Sequence, residues 1–468
     1  MLFVSPVFLF LFLPAVFLVH SLLAPRYRNA FLALASFVFY AWGGLAYALL
    51  IVVSILVNYV LSRLLGARKE PKPRKAYLVL ALVYNLGILG FFKYFDFAAD
   101  NLARLVRLFD PGFVLTAPLI PLPIGISFFT FMILSYVIDI YRDHVKAQRS
   151  MVNLALYIML FPHLIAGPIV RYADVEAQIA ERRITVDGVR RGVERFIVGF
   201  AKKLLIADAM ARISDFFFNS AINQSTPGAW LGVVAYALQI YFDFSAYSDM
   251  AIGLAKMFGF EFRENFNYPY VSASVQEFWR RWHISLSSWF RDYVYIPLGG
   301  NRKGDGRTYL NLLVVFFVTG LWHGASWNFV LWGLFHGAFL IVERLGLTNV
   351  LKRIPKVFGH VYTLVVVLTG WVLFRATTLT DALHYLKSMF VFTGANASRI
   401  LLVLDGEALL LLAAAILFCL PVYPPVRDWC GRRGSTRLVY ELALIALFFV
   451  SILYMTGSAF NPFIYFVF

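Results

Sequence analysis

Long apolar runs separated by short, basic connectors set the pattern of this chain. Residues 2–24 are apolar almost throughout and predict a first membrane helix, with Arg26 and Arg28 marking a turn after it. Residues 31–62 form the next run, interrupted by Trp42-Gly43-Gly44, which predicts two short helices or one broken one. The connector 63–75, with Pro71 and Pro73, reads as a loop, and a third run covers 77–95. Residues 115–140 open on Pro118, Pro121 and Pro123, so an irregular or re-entrant entry is expected before the helix that follows Gly125. The run 151–170 is broken at Phe161-Pro162-His163 and Ala166-Gly167-Pro168. Backbone breaks at membrane depth are tolerated where protein or a water-filled cavity surrounds them, which predicts a fold built around a cavity.

Between 171 and 212 apolar residues alternate with Arg182, Arg183, Arg190, Arg191, Arg195, Lys202 and Lys203, the pattern of an amphipathic segment lying at the interface. Apolar runs return at 229–258, 310–321, 326–345, 361–375, 408–423 and 438–455. The aromatic stretch Asn461-Pro462-Phe463-Ile464-Tyr465-Phe466 suits an interfacial anchor. The expected fold is all-α, with roughly ten to twelve membrane helices plus re-entrant or interfacial ones around a central cavity. Residues 1–468 are expected to form one domain, since no polar stretch is long enough to fold as a separate soluble one.

Composition strengthens this picture. Hydrophobic residues make up 60% of the 468 positions, 47 of them Phe, above the roughly 45–50% of an ordinary globular chain. The net charge of +16 could suggest nucleic acid, but its distribution argues against that partner. Basic residues gather in the connectors: Arg63, Arg68, Lys69, Lys72, Arg74 and Lys75; Arg142, Lys146 and Arg149; Arg302, Lys303 and Arg307; Arg427, Arg432, Arg433 and Arg437. That is the positive-inside bias, and it predicts cytoplasmic loops that also attract anionic lipid or a phosphate-bearing donor. The two cysteines, Cys419 and Cys430, flank a connector on the expected cytoplasmic side and suggest neither a disulfide framework nor a metal.

Candidate chemistry lies between Tyr268 and Glu343, where Trp-His occurs twice, as Trp282-His283 and Trp322-His323. An imidazole in hydrocarbon is costly, so two in one apolar region call for a functional explanation. Read as a single helix, 277–293 puts Phe278, Trp279, Trp282, Leu286, Trp289, Phe290 and Tyr293 on one arc, with His283 on the seam. His283 then either lines a cavity or anchors an amphipathic helix at the headgroups. His323, followed by Gly324-Ala325-Ser326, sits where another helix or a substrate can approach closely; the alternative is a buried histidine bonded to a backbone carbonyl. His336, thirteen positions on, falls on another helix face, and a packing role is expected for it and for His163. Neither a Gly-x-Ser-x-Gly elbow, nor His-Glu-x-x-His, nor a phosphate-binding Gly-Lys loop occurs. What remains is imidazole in an apolar site, suited to general-base transfer of an acyl group onto a hydroxyl.

These residues carry a resemblance. Asn265-Phe266-Asn267-Tyr268-Pro269-Tyr270, Glu277 through Ser287, and Trp289-Phe290-Arg291-Asp292-Tyr293 resemble the membrane-bound O-acyltransferase (MBOAT) family. Ile296-Pro297-Leu298-Gly299-Gly300-Asn301-Arg302 and Gly320-Leu321-Trp322-His323-Gly324 are similar to its bacterial branch that O-acetylates alginate. The resemblance implies a catalytic core at about 260–345, with His323 as the near-invariant histidine and His283 at the second motif position. It implies a tunnel open to both sides, acetyl-CoA as donor, and no permanently bound cofactor or metal. It further implies a multi-pass protein of the bacterial cytoplasmic membrane. An extracytoplasmic SGNH-type partner would complete acetylation of a polysaccharide acceptor. Arg280, Arg281 and Arg291 could hold the donor's phosphates or only satisfy the interface. D-alanyl transfer to teichoic acid, and a transporter or flippase, remain alternatives.

Overall fold

The computed structural model describes residues 1–115, 118, 120–220, 224–392, 394, 397–431, 434–457 and 463–464. Every regular element among them is helical, and the protein is a polytopic all-α membrane protein. Arg432 and Arg433 of the last basic connector, and Asn461, Pro462, Tyr465 and Phe466 of the aromatic stretch, lie outside the described residues. The chain forms two compact units, one of Met1–Gly192 with Ala251–Arg263, the other of Val193–Met250 with Glu264–Phe468.

The first unit begins with α1 (Phe8–Leu22), α2 (Pro25–Ala41), α3 (Leu45–Ala67) and α4 (Pro71–Arg107). The break between α2 and α3 falls at Trp42-Gly43-Gly44, where Gly44 has φ 147°, a conformation open to glycine. The expected loop at 63–75 is instead only three residues long, because Pro71 starts α4. A proline at the first helical position gives up an N–H that would have no partner anyway. α4 then runs 37 residues, well past the expected end near 95. Asn58 and Asn85 tie α3 to α4 by exchanging amide hydrogen bonds of 3.0 and 2.7 Å, and each also donates to the carbonyl four residues before it. Such paired amides hold membrane helices together where no hydrophobic force acts between them.

α5 (Ile126–Tyr141) follows the prolines, and the run 151–170 breaks as expected into α6 (Met151–Met159), α7 (Phe161–Leu164) and a non-helical stretch. The amphipathic region folds as α8 (Tyr172–Ala180), α9 (Val186–Ala201) and α10 (Asp208–Phe218), joined to α9 by a wide helical turn at Lys202–Ala207. On α9, Arg190 and Arg191 pair with Asp187 at the surface, and both hydrogen bonds hold that carboxyl down at about 2. Phe196 and Phe200 on the same helix are buried.

α11 (Thr226–Met257) is the most enclosed of the long apolar helices. It carries two carboxylates inward, and both are paired. Asp249 accepts from Lys202 at 2.7 Å and from Arg195 at 2.8 Å, while Lys203 lies between Asp208 at 2.7 Å and Asp243 at 2.8 Å. Buried charges are retained when paired in this way and are costly when one partner is removed. Asp243 also accepts the Ile464 backbone N–H at 2.7 Å, and Phe463 packs on Tyr247. These two residues of the aromatic stretch are therefore buried against α11 rather than exposed as an interfacial anchor.

The remaining elements are α12 (Val275–Arg281), α13 (Ile284–Phe290), α14 (Asp305–His323), α15 (Trp327–Val342), α16 (Thr348–Arg353) and α17 (Lys356–Arg375). After them come α18 (Leu379–Phe390), α19 (Gly406–Phe418), α20 (Tyr423–Cys430) and α21 (Gly434–Gly457). Among the described residues, six helices are long and apolar enough to cross a membrane: α3, α4, α11, the run Trp327–Arg353, α17 and Ser435–Gly457. α19 and α20 pass that test together but bend by 83°, and α1 and α5 are apolar but shorter.

Candidate active site

The segment expected as one helix over 277–293 is two helices with a break at Trp282-His283. α12 starts at the Ser274 hydroxyl, which accepts the Glu277 N–H at 3.0 Å. The Glu343 carboxylate closes the same end, taking the Val275 and Gln276 N–H groups at 2.6 and 3.0 Å. A carboxylate on free N–H groups at a helix start is the favoured arrangement. Glu277 itself accepts from Ala273 N–H and Arg281. Burial alone would raise its carboxyl, and these two donors more than offset that, holding it below the usual range.

His283 ends the first helix and begins the second in a left-handed conformation, φ 44° and ψ 56°. A non-glycine residue there is strained by about 1–3 kcal/mol unless its surroundings hold it. The irregular segment 265–267 does the holding. Asn267 N–H donates to Arg281 O at 2.9 Å, and Ile284 N–H donates to Asn265 O at 2.9 Å. The Asn265 side-chain oxygen accepts the Ser285 N–H at 3.2 Å and the Ser285 hydroxyl at 2.9 Å. Its amide nitrogen donates to Ser248 Oγ at 3.2 Å. A one-helix reading misses this break because the partners that create it lie some eighteen residues earlier in the chain.

The same amide sets the proton on His283. Its Nδ1 is 3.2 Å from Asn265 Oδ1, an oxygen already identified as acceptor by the Ser285 backbone N–H. An amide oxygen has no proton to give, so Nδ1 carries the hydrogen and Nε2 keeps its lone pair. Nε2 is buried and has no hydrogen-bond partner among the described residues. The imidazole is 1% exposed and packed edge-on against Phe244, ring centres 4.7 Å apart.

His323 arrives from the hairpin of α14 and α15. It is the last residue of α14 and only 4% exposed. The glycines nearby serve helix packing: a Cβ on Gly320 would sit 2.2 Å from Phe329 O, and one on Gly333 would sit 2.1 Å from Phe316 O. Beside His323 itself, a Cβ on Gly324 would sit 2.1 Å from the Phe329 ring, so α15 approaches closely there. A single indole joins the two histidines, with Trp322 6.0 Å from the His283 ring and 5.0 Å from the His323 ring.

His323 also meets Trp332 at 5.0 Å and Phe374 of α17 at 5.2 Å. Trp332 in turn touches His336 at 5.3 Å, and Trp279 of α12 touches His336 at 5.1 Å. His336, placed by helix periodicity away from the site, thus shares one indole with His323. His163 belongs to the first unit, where its Nε2 lies 2.9 Å from Tyr157 O. Of the three arginines, Arg281 binds Glu277 and Asn267 O, Arg291 binds Asp292, and Arg280 is exposed. Among the described residues no group of three His, Cys, Asp or Glu could hold a metal ion. Asn265, Ser285 and Glu343 carry no local signal of their roles, since each acts across a turn or a helix end that sequence spacing does not reveal.

Comparison with known proteins identifies the family of the chain. The family model described as MBOAT, membrane-bound O-acyltransferase family, matches residues 126–380. The chain is 42% identical to the probable alginate O-acetylase AlgI of Pseudomonas putida, over the whole of both chains. It is 46% identical to the protein of the same name in Pseudomonas aeruginosa, over 84% of this chain and 75% of the other. With the peptidoglycan O-acetyltransferase of Helicobacter pylori it shares 36% identity, over 85% of this chain and 81% of the other.

Proposed function

Because the chain belongs to the membrane-bound O-acyltransferase family and is therefore a multi-pass O-acyltransferase, we propose that it passes an acetyl group from acetyl-CoA across the bacterial cytoplasmic membrane for O-acetylation of a polysaccharide such as alginate. An extracytoplasmic SGNH-type partner delivers the group to the polymer. The observation that carries this reading is the buried Nε2 of His283, which has no hydrogen-bond partner among the described residues while Nδ1 meets the Asn265 amide oxygen, one indole away from His323. A neutral imidazole kept from water in this way accepts the hydrogen bond of an acceptor hydroxyl and holds it for the general base one indole away.

In this mechanism His323 takes the hydroxyl proton as the new acyl–oxygen bond forms and the thioester carbon–sulfur bond breaks. The proton then passes to the departing thiolate, so the imidazole ends as it began. His283 orients the reacting groups through Nε2, while Asn265 keeps its ring from turning. Arg280, exposed at the surface, contributes to attracting the donor's phosphates; Arg281, bonded to Glu277 and Asn267 O, holds the local backbone, and Arg291 pairs with Asp292.

The test is transfer of labelled acetyl from acetyl-CoA by the full-length protein with its polymer and partner. His323→Ala abolishes transfer while membrane insertion is unchanged, and His283→Ala lowers it by at least about 100-fold. Unaltered polymer acetylation in His323→Ala at normal protein level would remove that residue from the reaction. Transfer from a D-alanyl carrier protein but none from acetyl-CoA would replace this reading by D-alanylation. The Ile296–Arg302 stretch, similar to the alginate branch, favours acetyl.

A further inference from the structure

Two arginines and a buried, neutral histidine form a cluster in the first compact unit that shares no residue with the histidine site. His20, in the last turn of α1, is fully buried, and neither ring nitrogen has a hydrogen-bond partner among the described residues. Its ring stands edge-on to Phe258, with centres 5.2 Å apart. The Phe258 carbonyl accepts Arg182 Nε at 3.0 Å, so His20 and Arg182 meet at one residue. Arg182 also donates from one terminal nitrogen to Asn29 Oδ1 at 2.5 Å and lies over the Phe260 ring at 4.4 Å. Asn29 is turned this way because its amide nitrogen is taken by Asn153 Oδ1 and Ile179 O, both at 2.9 Å. The other terminal nitrogen of Arg182 is buried with no hydrogen-bond partner among the described residues. Arg28 completes the group, within electrostatic reach of both His20 and Arg182.

Helix capping explains part of this. Arg28 donates to Leu23 O at 3.0 Å and to Ser21 O at 3.5 Å, and Arg182 donates to the carbonyl just beyond α11. Cations at helix C-termini are favourable. Capping leaves over one guanidinium N–H group and both His20 nitrogens, all buried. Each buried polar group without a partner costs about 1–3 kcal/mol. Burial and the neighbouring Arg28 also push the Arg182 guanidinium down to about 10, and no carboxylate acts on it to offset them. What the cluster lacks is a compact anion with several acceptor oxygens.

We infer that His20, Arg28 and Arg182 form a binding site for a phosphate group, carried either by an anionic lipid headgroup or by a soluble phosphate compound. The guanidinium fork matches phosphate oxygens in pairs, and the imidazole supplies a further donor. Basic groups between membrane helices are suited to phosphate headgroups; Arg26 and Arg28 lie in the first turn of α2, and Arg182 and Arg183 in the connector between α8 and α9.

The site is tested with purified, delipidated full-length protein, followed by its thermal unfolding midpoint during titration. Three additives are compared: dioleoylphosphatidylglycerol, dioleoylglycerol (the same tails without phosphate) and inorganic phosphate. The expected result is a saturable rise with phosphatidylglycerol and none with dioleoylglycerol. Inorganic phosphate that raises the midpoint alone, or competes with the lipid, assigns the site to a soluble phosphate; no response to it assigns the site to a headgroup. Arg28→Gln and Arg182→Gln each weaken the response at least about tenfold. His20→Phe keeps the packing against Phe258, and it is expected to lose response without losing stability. Equal responses to phosphatidylglycerol and dioleoylglycerol, with none to phosphate, overturn the proposal. Should Arg182→Gln fail to fold, unchanged titration midpoints in both Arg28→Gln and His20→Phe overturn it as well. None of these readouts depends on acyl transfer.

Discussion

The two halves of the histidine site are built by opposite means. His323 rides on regular helices, and its position follows from how closely α14 and α15 approach. Gly320 and Gly333 let backbone meet backbone where any side chain would collide with a carbonyl. His283 sits at a break between two seven-residue helices, in a left-handed conformation held by hydrogen bonds from 265–267 and by the Glu343 cap. The first half is set by packing and does not admit added volume in the hairpin. The second is a hydrogen-bonding solution, and it also selects a tautomer, which packing cannot do.

The sharpest way to break the contrast is volume in the hairpin. Gly333→Leu drives a side chain into Phe316 O and is expected to cost more than about 3 kcal/mol, read as loss of folded protein in membranes and of the thermal transition. The second half responds through activity. Asn265→Ala is expected to leave the protein inserted while lowering transfer by about 10–100-fold, because His283 loses its orienting acceptor. Asn265→Asp retains an acceptor at that point and recovers part of the rate; equal loss in both variants would show that the amide's role is confined to the backbone. Glu343→Gln weakens the cap on α12 and costs about 0.5–2 kcal/mol, measured as a lower unfolding midpoint. Arg291→Ala removes a partly exposed pair with Asp292 and shifts the midpoint by no more than about 0.5 kcal/mol.

His336 shows how far periodicity reaches. Thirteen residues separate it from His323, and a continuous helix would set the two on different faces. Gly324 and the turn to Ser326 reverse the chain between them, so both rings come to rest on Trp332. The prolines at 71 and 73 read as loop by composition, yet Pro71 starts α4, which packs against α3 with Asn58 bonded to Asn85.

Membrane class, the order of the helices, the breaks at Trp42-Gly43-Gly44 and Phe161-Pro162-His163, and the two Trp-His pairs are all properties of local residue type. Apolar run length, glycine and proline act within a few neighbours, so the linear sequence determined them. The left-handed turn at His283, the proton on its Nδ1, and the indole shared by His323 and His336 were decided only by the tertiary structure. Each depends on a partner from another segment, and a hydrogen bond or ring contact between distant segments has no period along the chain to betray it.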